Sequence, residues 1–485
     1  MIKKQFLLLL ACASSLFTNC KDDDKSADVK TTVGSTLPVK DAINSKINSF
    51  IYRGLNEFYL YKEKSPDLAN NRFSSINEKN NFTSNGGRPE AFFDKLLYDK
   101  DRFSFIVDDF NILEDSFKGE SLNNGLKFRL IQYDGDDLFI IITDVIKNSP
   151  AANAGIKRGM LFNKINGTQM NINNQAKLFE DNSFTIEEAI IVDNTIIDNG
   201  NTISLTKVSL TENPIGVAKV IDIDSHKIGY LMYNSFLSNF EEELNNEFGK
   251  FKTEGVTDFV LDVRYNGGGS VDTANILSGM ITGNLTDKVF SKGKWNKEIQ
   301  EVLKKNNPEE LVEKFKNTTL KGTKINTLGL SKLYVITSKQ ETASSSELVI
   351  NSLKPYIEVV VIGEAEGTVG KSQGSITLYD SPDFLKEKSN TSHNYVMQPL
   401  VIETVNSNGV GIPIEGIKPN LIVAEEGFEN LGVLGDVNEP LLKVAINAIT
   451  GKNIPSAKKI NKNFGIDIGG SQENSPTYQR MYFTN

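Results

Sequence analysis

The ten residues from Glu341 to Ile350, Glu-Thr-Ala-Ser-Ser-Ser-Glu-Leu-Val-Ile, constrain the fold more than any other stretch of the chain. The apolar run before them, Leu333 to Ile336, reads as a buried strand. After them Leu348, Val349, Ile350 and Leu353 line one face of a short helix that must end by Pro355. Ser344-Ser345-Ser346-Glu347 has the form of a capping box, with an oxygen at the N-cap and a glutamate three residues on. Three hydroxyls are thus expected where a strand turns into a helix, beside backbone N–H groups that have no helical partner. Alone, a Ser-x-x-Glu caps a helix and does nothing more. The surrounding motifs decide what this one does.

At 485 residues the chain is too long for one ordinary domain. Residues 40–112 show helical spacing at Ile43, Ile47, Phe50, Ile51, Leu55 and Phe58, and again over Glu90 to Leu97, which predicts a small helical module. Residues 113–212 read as β-rich. Gly125-Leu126-Lys127-Phe128 opens a strand, Leu138 to Val145 is another, and an Ala-rich turn of helix precedes an Asn166-Gly167 hairpin turn. Across residues 213–450 strands alternate with helices: Ile228 to Tyr233, a helix near Asn239 to Lys252, Phe259 to Val263, a helix over Val271 to Thr282, then Leu333 to Ile336, Ser345 to Leu353 and Ile357 to Ile362. That order calls for an α/β layered core with parallel strands. A Lys/Glu-rich insert between Asp287 and Lys324 holds Trp295 and is expected to form a helical cap near the site. Residues 451–485 are polar and are expected to be a peripheral tail.

Several function classes are disfavoured. A net charge of −9 without a basic block argues against nucleic acid. There are two histidines, His226 and His393, neither in a His-Glu-x-x-His setting, so no metal site is expected. Gly363 to Gly370 spans seven steps where a phosphate-binding loop needs five, so Gly370-Lys371-Ser372 is no nucleotide motif and no cofactor is implied. Both cysteines fall within the first twenty residues, leaving the body without disulfides. Lys3 and Lys4 precede the apolar run Phe6 to Ala11, the pattern of a secretory signal over residues 1–20. Leu16-Phe17-Thr18-Asn19-Cys20 resembles a bacterial lipoprotein cleavage box, with Cys20 as the lipidated residue. Residues 21–39 then form a flexible tether, and Lys21-Asp22-Asp23-Asp24-Lys25 resembles the acidic stretch that marks Bacteroidetes lipoproteins for surface display. The resemblance implies an envelope protein anchored by lipid to the outer membrane, on its periplasmic or surface face.

Three patches carry the chemistry. Leu261-Asp262-Val263-Arg264-Tyr265-Asn266-Gly267-Gly268-Gly269 ends a strand in three glycines, which let a carbonyl approach bare backbone N–H groups. Thr342-Ala343-Ser344-Ser345-Ser346-Glu347 follows, and Ile362 to Ser372 runs from a strand into a loop that delivers Lys371. A serine hydroxyl is a poor nucleophile until a base takes its proton, and histidine is scarce in this chain. Lysine serves only when neutral. Its free pKa is about 10.4, so neutrality near pH 7 requires disfavouring the charged form by about 4 kcal/mol, which burial supplies.

The β-rich unit resembles a PDZ domain of the protease-associated kind, in which Gly125, Leu126, Lys127 and Phe128 correspond to the loop that receives a peptide's C-terminal carboxylate. The ordered set of motifs, with Gly416-Ile417-Lys418-Pro419-Asn420 after it, resembles the carboxyl-terminal processing peptidases, or tail-specific proteases. This implies a crotonase-like (ClpP/crotonase) α/β core with an inserted PDZ domain and a small N-terminal helical module. It implies Ser344 as nucleophile, Lys371 as general base, and the N–H groups of Gly268 and Ser345 as oxyanion hole. Many relatives place a glutamine four residues after the lysine; here Ser375 holds that position and the glutamine is Gln373, so both are candidates to orient the amine. The expected function is a serine endopeptidase acting on unfolded or C-terminal polypeptide segments. The alternatives are a catalytically inactive PDZ peptide-binding lipoprotein and a hydrolase of a non-peptide acyl substrate.

Overall fold

The computed structural model describes residues 39–193, 195–423, 431–454 and 465–483. Cys20 and nearly all of the tether lie outside the described residues. Helices Val39–Phe58, Ile76–Ser84 and Pro89–Leu96 make the N-terminal module. Ile47, Phe50, Ile51, Leu55 and Phe58 are all buried, the apolar stripe the helical spacing predicts. Ser75 starts the second helix by accepting the Glu78 N–H, and Pro89 sits in the first turn of the third.

The next unit is an antiparallel sheet of Leu126–Asp134, Asp137–Val145, Leu161–Ile165, Ser183–Val192 and Thr195–Thr206 in that order, with Thr168–Gln169 paired to Leu161–Ile165. Asn166 and Gly167 take φ of 51° and 73°, the left-handed pair that a two-residue hairpin turn requires. Phe128, Ile140, Ile142, Phe162 and Phe184 close its core.

The main sheet has six strands in the order Ile215–Ile223, His226–Tyr233, Asp258–Asp262, Lys332–Ile336, Glu358–Gly363 and Leu421–Ile422. The first pair is antiparallel and every later pair is parallel. Alternate residues serve two cores. Leu231, Leu261 and Val335 pack with Phe248, Leu277 and Leu348 from helices Glu241–Glu254, Val271–Thr282 and Ser345–Leu353. Tyr230, Met232, Val260 and Ile336 pack with Leu441, Leu442 and Ala445 of helix Pro440–Thr450 on the opposite face. Burial on both faces explains why these strands read as unbroken apolar runs.

A second six-stranded sheet runs Gly269–Ser270, Met481–Tyr482, Gln373–Ser375, Leu400–Val405, Val289–Trp295 and Val312–Lys314. It corrects two expectations. The insert after Asp287 is not a helical cap: Val289–Trp295 pairs with Leu400–Val405, burying Phe290 and Trp295, and its helical parts are Lys297–Asn306, capped by Asn296, and the short 3-10 turn Pro308–Leu311. The polar tail is not peripheral either. Ile466–Gly470 pairs antiparallel with Leu126–Asp134, and Met481–Tyr482 lies between Gly269–Ser270 and Gln373–Ser375. Met481, Tyr482 and Phe483 are buried, so this segment is held by its apolar end despite its polar composition. Among the described residues no helix is long and apolar enough to cross a membrane.

Candidate active site

The site lies where parallel strands Asp258–Asp262, Lys332–Ile336 and Glu358–Gly363 release their C-terminal ends, the edge at which open α/β sheets place ligands. A buried ion cluster anchors the first exit. Arg264 binds Asp262 Oδ2 at 2.8 Å and Glu439 Oε1 at 2.6 Å, while Tyr230 donates to Asp262 Oδ2 at 2.8 Å. Glu439 also accepts the Leu442 N–H, so one carboxylate caps helix Pro440–Thr450 and holds the arginine. Beyond it Asn266 shapes the glycine turn, donating to the Tyr233 carbonyl at 2.8 Å and accepting the Gly268 N–H at 2.9 Å. Gly268 has φ of 117°, and a Cβ there would sit 2.7 Å from Ser344 Cβ and 3.2 Å from the Ser345 nitrogen. Only glycine fits. The turn therefore rests directly against the start of helix Ser345–Leu353.

The three serines separate by role. Ser345 Oγ donates to the Gly269 carbonyl at 2.8 Å and Ser346 Oγ to the Asn266 carbonyl at 3.0 Å, stitching the helix start to the glycine turn. Ser344 Oγ is not used in that stitching; it donates to the Gln479 carbonyl at 3.2 Å. Ser344 also has φ of 58° and ψ of −115°, a strained conformation for a residue with a Cβ. Such strain costs on the order of 1–3 kcal/mol and collects at functional positions. As the first helical residue, Ser345 presents an N–H outside the helical ladder, beside Gly268. The Gly268 N–H itself turns toward Asn266 in this structure.

Glu347 is the residue whose part here the sequence reading missed. Its Oε2 accepts the N–H of Ser344 at 2.9 Å and that of Lys371 at 2.9 Å. Its Oε1 accepts the Gly370 N–H at 2.8 Å and the Thr368 hydroxyl. One buried carboxylate thus joins the backbone of the serine to that of the lysine. The capping-box spacing signalled the first contact; nothing in the spacing signals the second.

Lys371 is fully buried. Burial holds its pKa well below the usual lysine value, and the nearby Arg480 cation acts in the same direction. Its Nζ donates to the Gln373 carbonyl at 2.6 Å and lies 5.1 Å from the centre of the Phe103 ring. Gln373 therefore meets the amine through its backbone, while Ser375 Oγ is buried without a hydrogen-bond partner among the described residues. No hydrogen bond joins Ser344 Oγ to Lys371 Nζ in this conformation. His226 and His393 pair with Asp258 and Asp380.

In the neighbouring sheet the Gly125 N–H is held by Asn123 Oδ1 at 2.8 Å, the Leu126 N–H by Asn124 Oδ1 at 3.1 Å, and the Phe128 N–H by Ser471 Oγ at 3.1 Å. Lys127 is buried in an ion pair with Glu212. A Cβ on Gly125 would meet the Ser149 side chain at 2.0 Å. Among the described residues no cluster of potential ligands could hold a metal ion.

A strained serine at a helix start, backed by a glycine turn and tied through one carboxylate to a buried lysine, stands on a mixed α/β core with an N-terminal helical module. The sequence profile described as Peptidase family S41 matches residues 227–423, and that of the Peptidase S41 N-terminal domain matches residues 46–105. Together they match more than half of the chain, which belongs to peptidase family S41. A relative in Bacillus subtilis, carboxy-terminal processing protease CtpA, is 25% identical over 348 residues, covering 71% of this chain and 64% of the relative. The carboxy-terminal-processing protease of Bartonella bacilliformis is 25% identical over 332 residues, covering 64% of each. This chain thus spans just under two thirds of the length of the curated relatives it matches. A solved structure from Bacteroides fragilis, assigned to the S41 proteases, superposes with a TM-score of 0.65 at 24% identity, covering 83% of this chain and 97% of that one. It shares the fold.

Proposed function

We propose that the protein is a serine endopeptidase of the carboxyl-terminal processing kind, in which Ser344 attacks the peptide carbonyl and neutral Lys371 takes the hydroxyl proton. The observation that carries this reading is the shared Glu347 carboxylate, which fixes Ser344 and Lys371 against each other while burial keeps the amine short of its proton. The Oγ–carbonyl bond forms, the proton passes to Lys371 Nζ and then to the leaving amine, and water releases the acyl group by the same path reversed. The oxyanion faces the Ser345 N–H at the helix start and the Gly268 N–H, which must turn from Asn266.

The substrates are unfolded or C-terminal polypeptide segments. The β-rich unit acts as a PDZ domain, taking a peptide as an added strand along Leu126–Asp134, with the carboxylate near the Gly125-to-Phe128 turn. The core is crotonase-like. Cys20 carries the lipid that tethers the protein to the outer membrane of the cell envelope, and no nucleic acid, metal or cofactor takes part.

The test incubates the purified chain with a reduced, carboxymethylated protein, beside Ser344→Ala and Lys371→Ala, and maps fragments by mass. The parent cuts, and both variants lose at least 1000-fold in rate while keeping the parent's circular dichroism. Undiminished cutting by either variant rules out the assigned chemistry.

A further inference from the structure

Resting on that reading, we infer that residues 465–483 form a built-in occupant of the substrate path, which a polypeptide must displace to reach Ser344. The segment follows the path at both ends. Ile466–Gly470 adds a strand to the free edge of Leu126–Asp134, where a peptide would add. Met481–Tyr482 then lies parallel between Gly269–Ser270 and Gln373–Ser375, beside both the glycine turn and the strand that follows Lys371. The Gly269 N–H donates to the Arg480 carbonyl at 2.7 Å, and the Phe483 N–H to the Ser375 carbonyl at 3.0 Å. Ser344 and Lys371 have no exposed surface with the segment in place. A cleft of about 700 Å³ reaches Gly267 and Gly268 from outside, and Pro476, Thr477 and Tyr478 form part of its wall. The approach exists, and the segment closes its inner end.

The segment is seated as an inhibitor and not as a substrate. Cleavage requires the carbonyl carbon to face Oγ and its oxygen to face N–H donors. Here the Gln479 oxygen faces Ser344 Oγ, so that bond is turned the wrong way.

Its hold is uneven. At one end Arg129 latches it, binding Asp467 at 2.7 Å and Glu473 at 3.6 Å while reaching Glu341 of the nucleophile loop at 3.3 Å. At the other end Met481, Tyr482 and Phe483 fill apolar pockets. Between them Arg480 is poorly suited to its place. Its guanidinium is buried over Phe105, its Nε has no hydrogen-bond partner among the described residues, and burial lowers its pKa to about 10. A substrate strand with a neutral residue there and large apolar residues after it refills the same pockets without burying that cation. That is the substrate class this path favours.

The experiment uses the full chain. Hydrogen exchange is followed in Ser344→Ala with and without a reduced, carboxymethylated protein as probe, and cleavage of the probe is measured with the parent. The probe speeds exchange of the 481–483 amides at least tenfold, while the Gly269 amide stays protected because a probe carbonyl replaces that of Arg480. In an otherwise unchanged chain, Asp467→Ala with Glu473→Ala lowers KM for the probe at least threefold, and Arg480→Met raises it by a similar factor. Segment amides that stay protected at every probe concentration overturn the inference, as does a parent found cut at Gln479–Arg480. If the probe frees the amides yet the parent cleaves nothing, the proteolytic reading fails and displacement stands. KM values unmoved by both variants show the segment to be a fixed part of the fold and also overturn it.

Discussion

Lys371 and Glu347 meet through one backbone hydrogen bond, and each makes a prediction. A lysine whose folded pKa lies below its unfolded value of about 10.4 costs stability at pH 7, because the unfolded chain holds a proton the folded one gives up. The cost fades as pH rises toward the unfolded value. Lys371→Met is therefore more thermostable than the parent at pH 7, with the gap narrowing by pH 10; equal melting temperatures at pH 7 would contradict this. The same neutrality makes kcat/KM rise with pH through the lowered lysine value, and Lys371→Arg, which stays charged, is inactive. Glu347→Gln replaces an acceptor facing four donors with a group that carries an NH₂. It should cost about 1–3 kcal/mol in urea unfolding and at least 100-fold in kcat, through loss of alignment. That Ser344 and Lys371 come together was legible in the ordered motifs, their proposed roles being for the experiments to test. Glu347 was legible only as a cap, because its reach to residues 368–371 is a side-chain contact with distant backbone that no local pattern records.

Elements that bury a continuous face announced themselves. Helix Val271–Thr282 and the parallel strands were readable because both faces of the main sheet are covered, and helix Ser345–Leu353 because its apolar spacing stops at Pro355. The second sheet was not readable. Its strands run from two to seven residues, come from six separate stretches of the chain, and owe their pairing to neighbours and not to their own periodicity. The glycine turn was visible as letters, yet what steadies it, the buried Asp262–Arg264–Glu439 cluster, joins positions about 175 residues apart. Glu439→Leu removes a paired carboxylate from buried Arg264 and should destabilise the chain by about 3–5 kcal/mol in urea unfolding. A loss below 1 kcal/mol would mean that Arg264 stays satisfied without Glu439.

At the scale of the whole molecule, three units meet around one serine: the helical module lends Phe103 beneath Lys371, the β-rich unit lends Arg129, and the last described segment lies across the site. That segment was misread because its composition is polar overall. The signal was the short apolar run Met481-Tyr482-Phe483, which supplies an anchor where average composition shows none. The account turns on Ser344 being activated by Lys371, and the direct measurement is the rate of acylation at that serine. The chain is treated with a fluorophosphonate across pH 5–10 and the adduct located by mass. The account predicts labelling at Ser344, with a rate that rises through one ionisation below the ordinary lysine range and falls at least 100-fold in Lys371→Ala. Labelling of another residue, or an equal rate in Lys371→Ala, would contradict it.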